Sequence, residues 1–180
     1  MFKRIAAVFL VVLTLALTSC STSVVGALKS YANTTKGYEF LYPNGWEQVK
    51  VNGGPDVVFH DLIEQSENVS VVISEVPNNK SLEELGTPTE VGYKLSKSAI
   101  APPDSGRTAE LLDAQMKEKG SKTYYLLEYR VKFPDRERHN LASVAISRGK
   151  LFTFNVSTTQ SRWKKVKDLF EAVVNSFSVY

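Results

Sequence analysis

The chain has 180 residues, of which 43% are hydrophobic and 23% are charged, and 22 Lys and Arg residues stand against 19 Asp and Glu residues. This length allows one folded domain with a sizeable hydrophobic core. A nucleic-acid-binding protein needs its basic residues concentrated in a stripe or patch, but here the lysines are dispersed among glutamates and aspartates. The composition therefore argues against a nucleic-acid partner.

The first nineteen residues have the pattern of a secretion signal. Lys3 and Arg4 form a short positive region, and an apolar run interrupted only by Thr14 follows at residues 5–17. An apolar run of this length is too short to span a bilayer stably and is typical of a signal peptide. We therefore expect residues 1–19 to be removed and to take no part in the fold.

Cys20 follows Leu17-Thr18-Ser19, which is the lipobox pattern of one aliphatic and two small residues before a cysteine. We expect the sulfur of Cys20 to carry a diacylglycerol group in a mature lipoprotein. Cys20 is the only cysteine of the chain, so an intramolecular disulfide cannot form. Because two or three acyl chains give stable anchoring, the sequence predicts a protein that is attached to a membrane and does not cross it.

The segment after Cys20 is mainly small and polar and shows little periodicity. Such a composition is typical of a flexible linker. We therefore assign residues 20–36 to the lipidated cysteine and a tether, and residues 37–180 to a single domain.

The domain is predicted to begin with four short strands, which precede any helix. The first strand has aromatic residues at alternate positions, and Pro43-Asn44-Gly45 then makes a turn. This arrangement predicts a hairpin between the first two strands. The four predicted strands cover residues 38–42, 46–51, 56–61 and 68–76.

The middle of the chain has two consecutive helix-start signals. Ser81 with Glu84 forms one capping box, and Thr87 with Glu90 forms a second. Pro88 occupies the first helical position of the second, where its missing N–H costs nothing. These signals predict a helical segment that packs on the strands.

The second half of the chain is predicted to contain longer strands and a final helix. The strands cover residues 107–117, 122–133, 139–147 and 150–157. Between Trp163 and Phe177, apolar residues recur at helical spacing and leave the charged residues on the opposite face. Together the elements predict an α+β domain dominated by antiparallel strands, with the final helix lying across the sheet.

Four segments, in this order, resemble the PsbP family of photosystem II extrinsic proteins. They read GYEFLYPNGWEQV, DVVFHDLIE, TYYLLEYRV and RWKKVKDLFEAVVNSF, and the likeness runs from about Gly37 to the C-terminus. Combined with the lipobox, the chain resembles the cyanobacterial member of that family, which is a lumenal lipoprotein. The segments contain aromatic residues and turns at particular spacings and no catalytic signature.

The resemblance implies an antiparallel sheet flanked by helices, which is an α-β-α sandwich. It also implies a monomer on the lumenal side of the thylakoid membrane that associates with photosystem II core or assembly intermediates. Plant members help to retain calcium and chloride at the oxygen-evolving complex, a role associated with a long free N-terminal segment. Here the corresponding segment is short and begins at Cys20, which favours an assembly or stabilising role.

The sequence contains no common catalytic signature. A Gly-x-Ser-x-Gly elbow, a His-Glu-x-x-His pair and a phosphate-binding glycine loop are all missing, and His60 and His139 are the only histidines. A Ser-His-Asp triad is recognised by geometry and not by spacing, so that class stays open at this point. We predict a protein that is not an enzyme and requires no cofactor.

Two groups of residues are candidate metal ligands. His60 is followed by Asp61 at a strand end, and Asp135, Glu137 and His139 occupy alternate positions at the entry to a later strand. Zinc or manganese accepts such nitrogen and oxygen ligands, and calcium is the further candidate that the resemblance suggests. The alternative is that the later group belongs to a solvated loop with its own ion pairs and that the first histidine is an exposed strand residue.

Two surfaces are candidates for contact with a partner. Lys164, Lys165 and Lys167 lie on the polar face of the final helix, where they would meet acidic lumenal loops by electrostatic complementarity. The alternative is a helix face that is merely solvated. The aromatic residues around the first turn, including Trp46, either form a docking surface or fill the core.

Two classes of function therefore stay open from the sequence. The first is a non-catalytic photosystem II accessory protein. The second is an envelope lipoprotein of similar fold that binds a small ligand or a divalent metal.

Overall fold

The structure is a computed structural model and describes residues 27–180. The predicted signal peptide and Cys20 lie outside the described residues. The strands are β1 Leu28–Asn33, β2 Tyr38–Pro43, β3 Trp46–Val49, β4 Val57–Asp61, β5 Asn68–Glu75, β6 Thr108–Lys119, β7 Lys122–Lys132, β8 Glu137–Ser147, β9 Lys150–Thr159 and β10 Ser178–Val179. The helices are α1 Leu82–Leu85, α2 Pro88–Leu95, which continues into a π-helical turn at Ser96–Ile100, and α3 Gln160–Ser176. A short 3₁₀ turn lies at Pro77–Asn79.

The strands form two antiparallel sheets. The large sheet has seven strands in the order β3-β4-β5-β9-β8-β7-β6, and the small sheet has three in the order β1-β2-β10. Because β5 pairs with β9 along its whole length, the early strands and the late strands of the chain lie side by side. Residues far apart in the sequence therefore share one face of the large sheet.

The hydrophobic core lies on both faces of the large sheet. On one face, α3 and the small sheet pack against the strands, and the largest fully buried side chains there are aromatic: Tyr38, Phe40, Phe152, Phe154, Phe170 and Phe177. On the other face, α1 and α2 cover a second cluster that includes Leu82, Val91, Tyr125, Leu127 and Tyr129. The predicted α+β domain, with an antiparallel sheet flanked by helices, is confirmed.

The first strand lies within the segment that we assigned to the tether. Leu28–Asn33 pairs in register with Pro43–Tyr38, and the ring of Tyr31 lies 5.2 Å from that of Phe40. The sequence prediction of a tether is therefore wrong for residues 28–33. Small polar residues alone favour a linker, but pairing with a neighbouring strand and burial of one aromatic side chain give this segment a fixed place.

The predicted hairpin between the first two strands is also wrong. The turn is present, with Gly45 at a φ of +88°, but β2 pairs with β1 and β10, whereas β3 pairs with β4. The N–H of Asn44 donates to the carbonyl of Ala27 at 2.7 Å, which extends the pairing with β1 into the turn. The chain therefore passes from the small sheet to the large sheet at this turn.

Both predicted capping boxes are confirmed. The backbone N–H of Ser81 donates to Glu84 Oε2 at 2.7 Å, and the N–H of Thr87 donates to Glu90 Oε2 at 2.8 Å. After α2, one wider turn closes with the N–H of Ala101 donating to the carbonyl of Ser96 at 2.8 Å. Within residues 27–180, no helix is both long enough and apolar enough to cross a membrane.

Candidate partner-binding surface

The three lysines predicted to face a partner are exposed on α3. Val166, Phe170, Val173 and Val174 are the buried residues that hold this helix on the sheet, whereas the lysines are exposed. Lys167 Nζ lies 3.5 Å from Glu171 Oε1, one helical turn further on. An exposed pair of this kind contributes little to stability. Asp168 and Glu171 are also exposed beside the lysines, so the stretch 164–171 has three positive and two negative side chains. The three residues are Lys164, Lys165 and Lys167.

The loop between β4 and β5 is fastened to the start of α3. Arg162 Nε donates to Glu67 Oε1 at 2.6 Å and lies 3.7 Å from Glu64 Oε2. Glu67 is only 5% exposed and also accepts a hydrogen bond from Thr158 Oγ1 at 3.1 Å. The hydrogen bond to Glu67, more than any other contact, raises the pKa of Arg162. Charge-assisted contacts thus give the loop a fixed position beside the helix.

The tip of this loop exposes two large aliphatic side chains. Leu62 is 52% exposed and Ile63 is 96% exposed. Asp61 Oδ1 accepts the backbone N–H groups of Ile63 and Glu64, both at 2.7 Å, and the hydrogen bond from Glu64 is the main cause that lowers the pKa of Asp61. An aliphatic pair on a turn fixed in this way resembles the apolar centre of an interface with a charged rim.

We call this combined region the docking surface. It consists of Leu62, Ile63, Lys164, Lys165 and Lys167. The lysines were predicted from the sequence as a partner surface because they lie on the polar face of a regular helix, and the structure shows that they are exposed. The aliphatic pair was missed, because only the structure shows that the loop stays beside the helix.

His139, a predicted metal ligand, is instead part of the packing under α3. Its side chain is 3% exposed, Nε2 lies 2.6 Å from Glu128 Oε1, and Nδ1 lies 3.0 Å from Gln160 Oε1. Its ring is stacked on Trp163, with centroids 3.8 Å apart. Both ring nitrogens therefore have protein partners.

His60, the other predicted histidine ligand, lies on a different face of the sheet from His139. The register places His60 opposite Asn68, Asn68 opposite Ser157, and Ser157 opposite Asn140. Since paired residues share a face and neighbours along a strand alternate, the two histidines project from opposite faces of the sheet.

The acidic residues of the predicted metal set lie in exposed pairs. Asp135 Oδ2 lies 2.9 Å from Arg136 Nη1, and Glu137 Oε1 lies 3.6 Å from Lys132 Nζ. Asp61 accepts hydrogen bonds from two backbone N–H groups of its own loop turn. No three His, Cys, Asp or Glu side chains among the described residues are grouped so that they could hold a metal ion. The structure therefore does not bring the five residues into one site, and the solvated-loop alternative fits the observed pairs.

The aromatic residues around the first turn belong to the core. Tyr38 and Trp46 are buried, and the Tyr38 hydroxyl donates to Asp56 Oδ2 at 2.6 Å. Burial, followed by this carboxylate, raises the pKa of Tyr38 far above its ordinary value. The ring of Tyr42 lies 4.3 Å from that of Phe59. The core alternative is therefore the correct one.

Comparison with known proteins agrees with the resemblance seen in the sequence. The family model of PsbP matches residues 26–179, and the chain belongs to the PsbP family. It is 48% identical to the protein named CyanoP from Thermosynechococcus vestitus, over 100% of both chains. It is 51% identical to CyanoP from Synechocystis sp., over 97% of this chain and 96% of the relative.

A solved structure agrees with the fold. The solution structure of cyanobacterial PsbP (CyanoP) from Synechocystis sp. PCC 6803 superimposes with a TM-score of 0.75 at 50% sequence identity. The match covers 92% of this chain and 99% of that chain. The similarity therefore extends over the whole domain.

Proposed function

We propose that the chain is a non-catalytic accessory lipoprotein of photosystem II on the lumenal side of the thylakoid membrane. In this role it assists the assembly or the stabilisation of photosystem II as a monomer, without a required cofactor. The proposal is carried by the similarity to CyanoP, which runs from end to end of both chains. The chain belongs to the PsbP family, and the resemblance stated from the sequence connects that family with photosystem II.

The proposed attachment to the membrane rests on the N-terminal sequence. A basic start, an apolar run and a lipobox precede Cys20 in the order that a lipoprotein signal requires. A lipid at Cys20 would keep the domain next to membrane-embedded subunits. The domain itself then needs only modest affinity for its partner, because anchoring raises the effective concentration.

The docking surface supplies the proposed contact with the photosystem. Its lysines carry positive charge that complements acidic loops of lumenal subunits, and such complementarity speeds association and selects the partner. Leu62 and Ile63 offer apolar area beside that charge, and a few buried apolar residues carry most of the affinity in typical interfaces. We therefore place the partner against α3 and the β4–β5 loop.

The first experiment is an affinity pulldown of the tagged, full-length lipoprotein from detergent-solubilised membranes of its native host. Bound proteins are identified by mass spectrometry. A control chain keeps residues 1–26 and carries an unrelated folded domain in place of residues 27–180. We expect the native chain, and not the control chain, to recover photosystem II core or assembly subunits. Recovery of the same subunits with the control, or of envelope proteins alone with both, would reject the proposal.

A further inference from the structure

A cleft of about 380 Å³ lies on the face of the large sheet that carries α1 and α2. One wall is formed by the end of α2 and the π-helical turn, which contribute Leu95 and Ile100. The opposite wall is formed by the end of β7 and the turn into β8, with Phe133 at the rim. Its volume falls within the range of small-molecule sites in proteins, roughly 300 to 1,000 Å³. The docking surface is formed by other residues.

Three arginines converge on this cleft. Arg107 and Arg136 lie on the ring of Phe133, each with its guanidinium carbon 4.9 Å from the ring centroid. Arg138 is half-buried at the base of the same wall. Burial, and then the positive charges of Arg136 and Arg107, lower the pKa of Arg138. The cleft therefore brings three guanidinium groups together, of which Arg107 and Arg136 are exposed and Arg138 is half-buried.

Arg138 has only neutral hydrogen-bond partners. Arg138 Nε donates to Ser157 Oγ at 2.9 Å, and Nη2 donates to the carbonyl of Ser66. Within residues 27–180, neither Arg107 nor Arg138 forms an ion pair. The carboxylate of Glu67 already accepts from Arg162 and Thr158. Burial of a charge is costly unless an opposite charge offsets it. Glu64 and Glu67 offset the charge of Arg138 only in part, because its pKa is still lowered overall, and a bound anion would add the missing negative charge.

The floor of the cleft is polar although it lies in the middle of a sheet. Ser157 Oγ donates to Asn140 Oδ1 at 2.7 Å, and Asn140 Nδ2 lies 3.4 Å from Asn155 Oδ1. Further along β8, the same face carries Ala142 and Val144, which are buried in the apolar cluster. Asparagine is disfavoured in strands, so packing alone does not account for this floor. Its amides are suited to hydroxyl or carboxylate oxygens of a ligand.

We propose that this cleft binds a small soluble organic anion, whose carboxylate or phosphate group pairs with Arg138 between Arg107 and Arg136. The oxygen-bearing body of the ligand lies on Asn140 and Asn155, against the wall that contains Leu95 and Ile100. The planar guanidinium groups provide parallel N–H donors for either type of acidic group. The cleft shares no residue with the docking surface, although Arg138 also donates to the carbonyl of Ser66 in the β4–β5 loop.

The test uses the full-length lipoprotein purified in non-ionic detergent and isothermal titration calorimetry. The probes are citrate and glycerol 3-phosphate, which represent the two acidic groups, and glycerol is the neutral control. We expect at least one anion to bind with a Kd below about 1 mM and glycerol to give no heat. No saturable binding of either anion, or equal binding of glycerol, would overturn the proposal.

Three variants locate the site. Arg138→Gln should raise the Kd about tenfold or more, because it removes charge-assisted hydrogen bonds. Arg136→Gln tests the cleft from an exposed position where the fold is not at risk. Arg130→Gln is the matched control, since Arg130 pairs with Glu110 at 3.1 Å and does not line the cleft. An unchanged Kd in Arg136→Gln, or an equal loss in Arg130→Gln, would show that the anion binds elsewhere.

Discussion

The imidazole of His139 lies parallel to the indole of Trp163, with centroids 3.8 Å apart and an interplanar angle of 10°. This stack joins the beginning of β8 to the first turn of α3. Together with the contacts of His139 to Glu128 and Gln160, it determines where the helix begins to lie on the sheet. The lysines of the docking surface follow directly after Trp163, so their position depends on this contact.

His139→Ala should therefore destabilise the domain by about 2–4 kcal/mol, through a cavity under Trp163 and loss of partners for two polar groups. His60→Ala is the matched control, because His60 makes no stack and lies on the other face of the sheet. We expect it to change the free energy of unfolding by less than about 1 kcal/mol. Urea denaturation followed by tryptophan fluorescence measures the free energy of unfolding of each variant. An equal loss of stability in the two variants would contradict the role given to the stack.

Charge reversal of the basic helix face should weaken association with photosystem II without unfolding the domain. The variant carries Lys164→Glu, Lys165→Glu and Lys167→Glu. The control reverses three other exposed lysines, Lys50, Lys80 and Lys97, and so has the same net charge. We expect the pulldown yield to fall about tenfold in the first variant only, as for loss of electrostatic complementarity. Equal yields from the two variants would exclude α3 as the contact.

The aliphatic tip of the β4–β5 loop should contribute to binding and not to stability. Leu62→Ser with Ile63→Ser removes exposed apolar area, so the free energy of unfolding should change by less than about 0.5 kcal/mol. The pulldown yield should fall about fivefold or more, as for interface residues at the apolar centre.

The control for the loop tip is Met116→Ser with Val51→Ser, two exposed apolar residues at other places in the fold. This pair should leave the yield unchanged. A loss of binding in the control and not in the loop variant would move the interface away from the loop.

The proposed anchor depends on one sulfur atom. Cys20→Ser should abolish acylation, because no other cysteine is present. It should also prevent cleavage of the signal peptide after Ser19. Ser23→Ala is a control within the same segment and should be acylated normally. Intact-mass spectrometry of the purified chains distinguishes the two results, and a Cys20→Ser chain that still carries a diacylglycerol group would contradict the assignment.

The turn at Asp61 should make stability depend on pH in the acidic range. Hydrogen bonds from the backbone, with Glu64 first, hold the folded-state pKa of Asp61 below its ordinary value of 3.8. A lowered pKa means that the stabilisation is fully present above the unfolded pKa and is lost as the pH falls through the folded pKa.

Asp61→Asn keeps an acceptor oxygen but removes the titrating charge. The difference in unfolding free energy between the native chain and this variant should shrink as the pH is lowered from about 6 to about 2. Asp104→Asn, at an exposed position, is the control and should leave the pH profile of the native chain unchanged. A constant difference between Asp61→Asn and the native chain at all pH values would contradict the role of this carboxylate.

The sequence predicted those elements whose signals are local. The capping boxes at Ser81 and Thr87 and the apolar spacing of α3 depend on neighbours within one or two helical turns, so they were visible without the fold. Strand β1 was missed because its stability comes from pairing with β2 and from the packing of Tyr31. Neither cause leaves a pattern in the small polar segment itself.

The docking surface and the cleft also differ in how far the sequence could predict them. The lysines of α3 lie within four residues of each other in the sequence. Arg107, just before β6, and Arg138, near the start of β8, come close only because β6, β7 and β8 are neighbours in the sheet. Strand periodicity indicates which residues share a face of one strand. It does not give the order of strands, and the polar floor of the cleft depends on that order.

The position of β1 sets a limit on the space that the anchored domain can sample. Leu28 is eight residues beyond Cys20, which corresponds to roughly 28 Å when the chain is fully extended. A tether to residue 36 would have reached about twice as far. A domain of this size has a radius of gyration of roughly 15 Å, so it would stay within about one diameter of the bilayer. With the proposed lipid at Cys20, the partner must therefore present its binding site within the reach of this short tether and the domain that it carries.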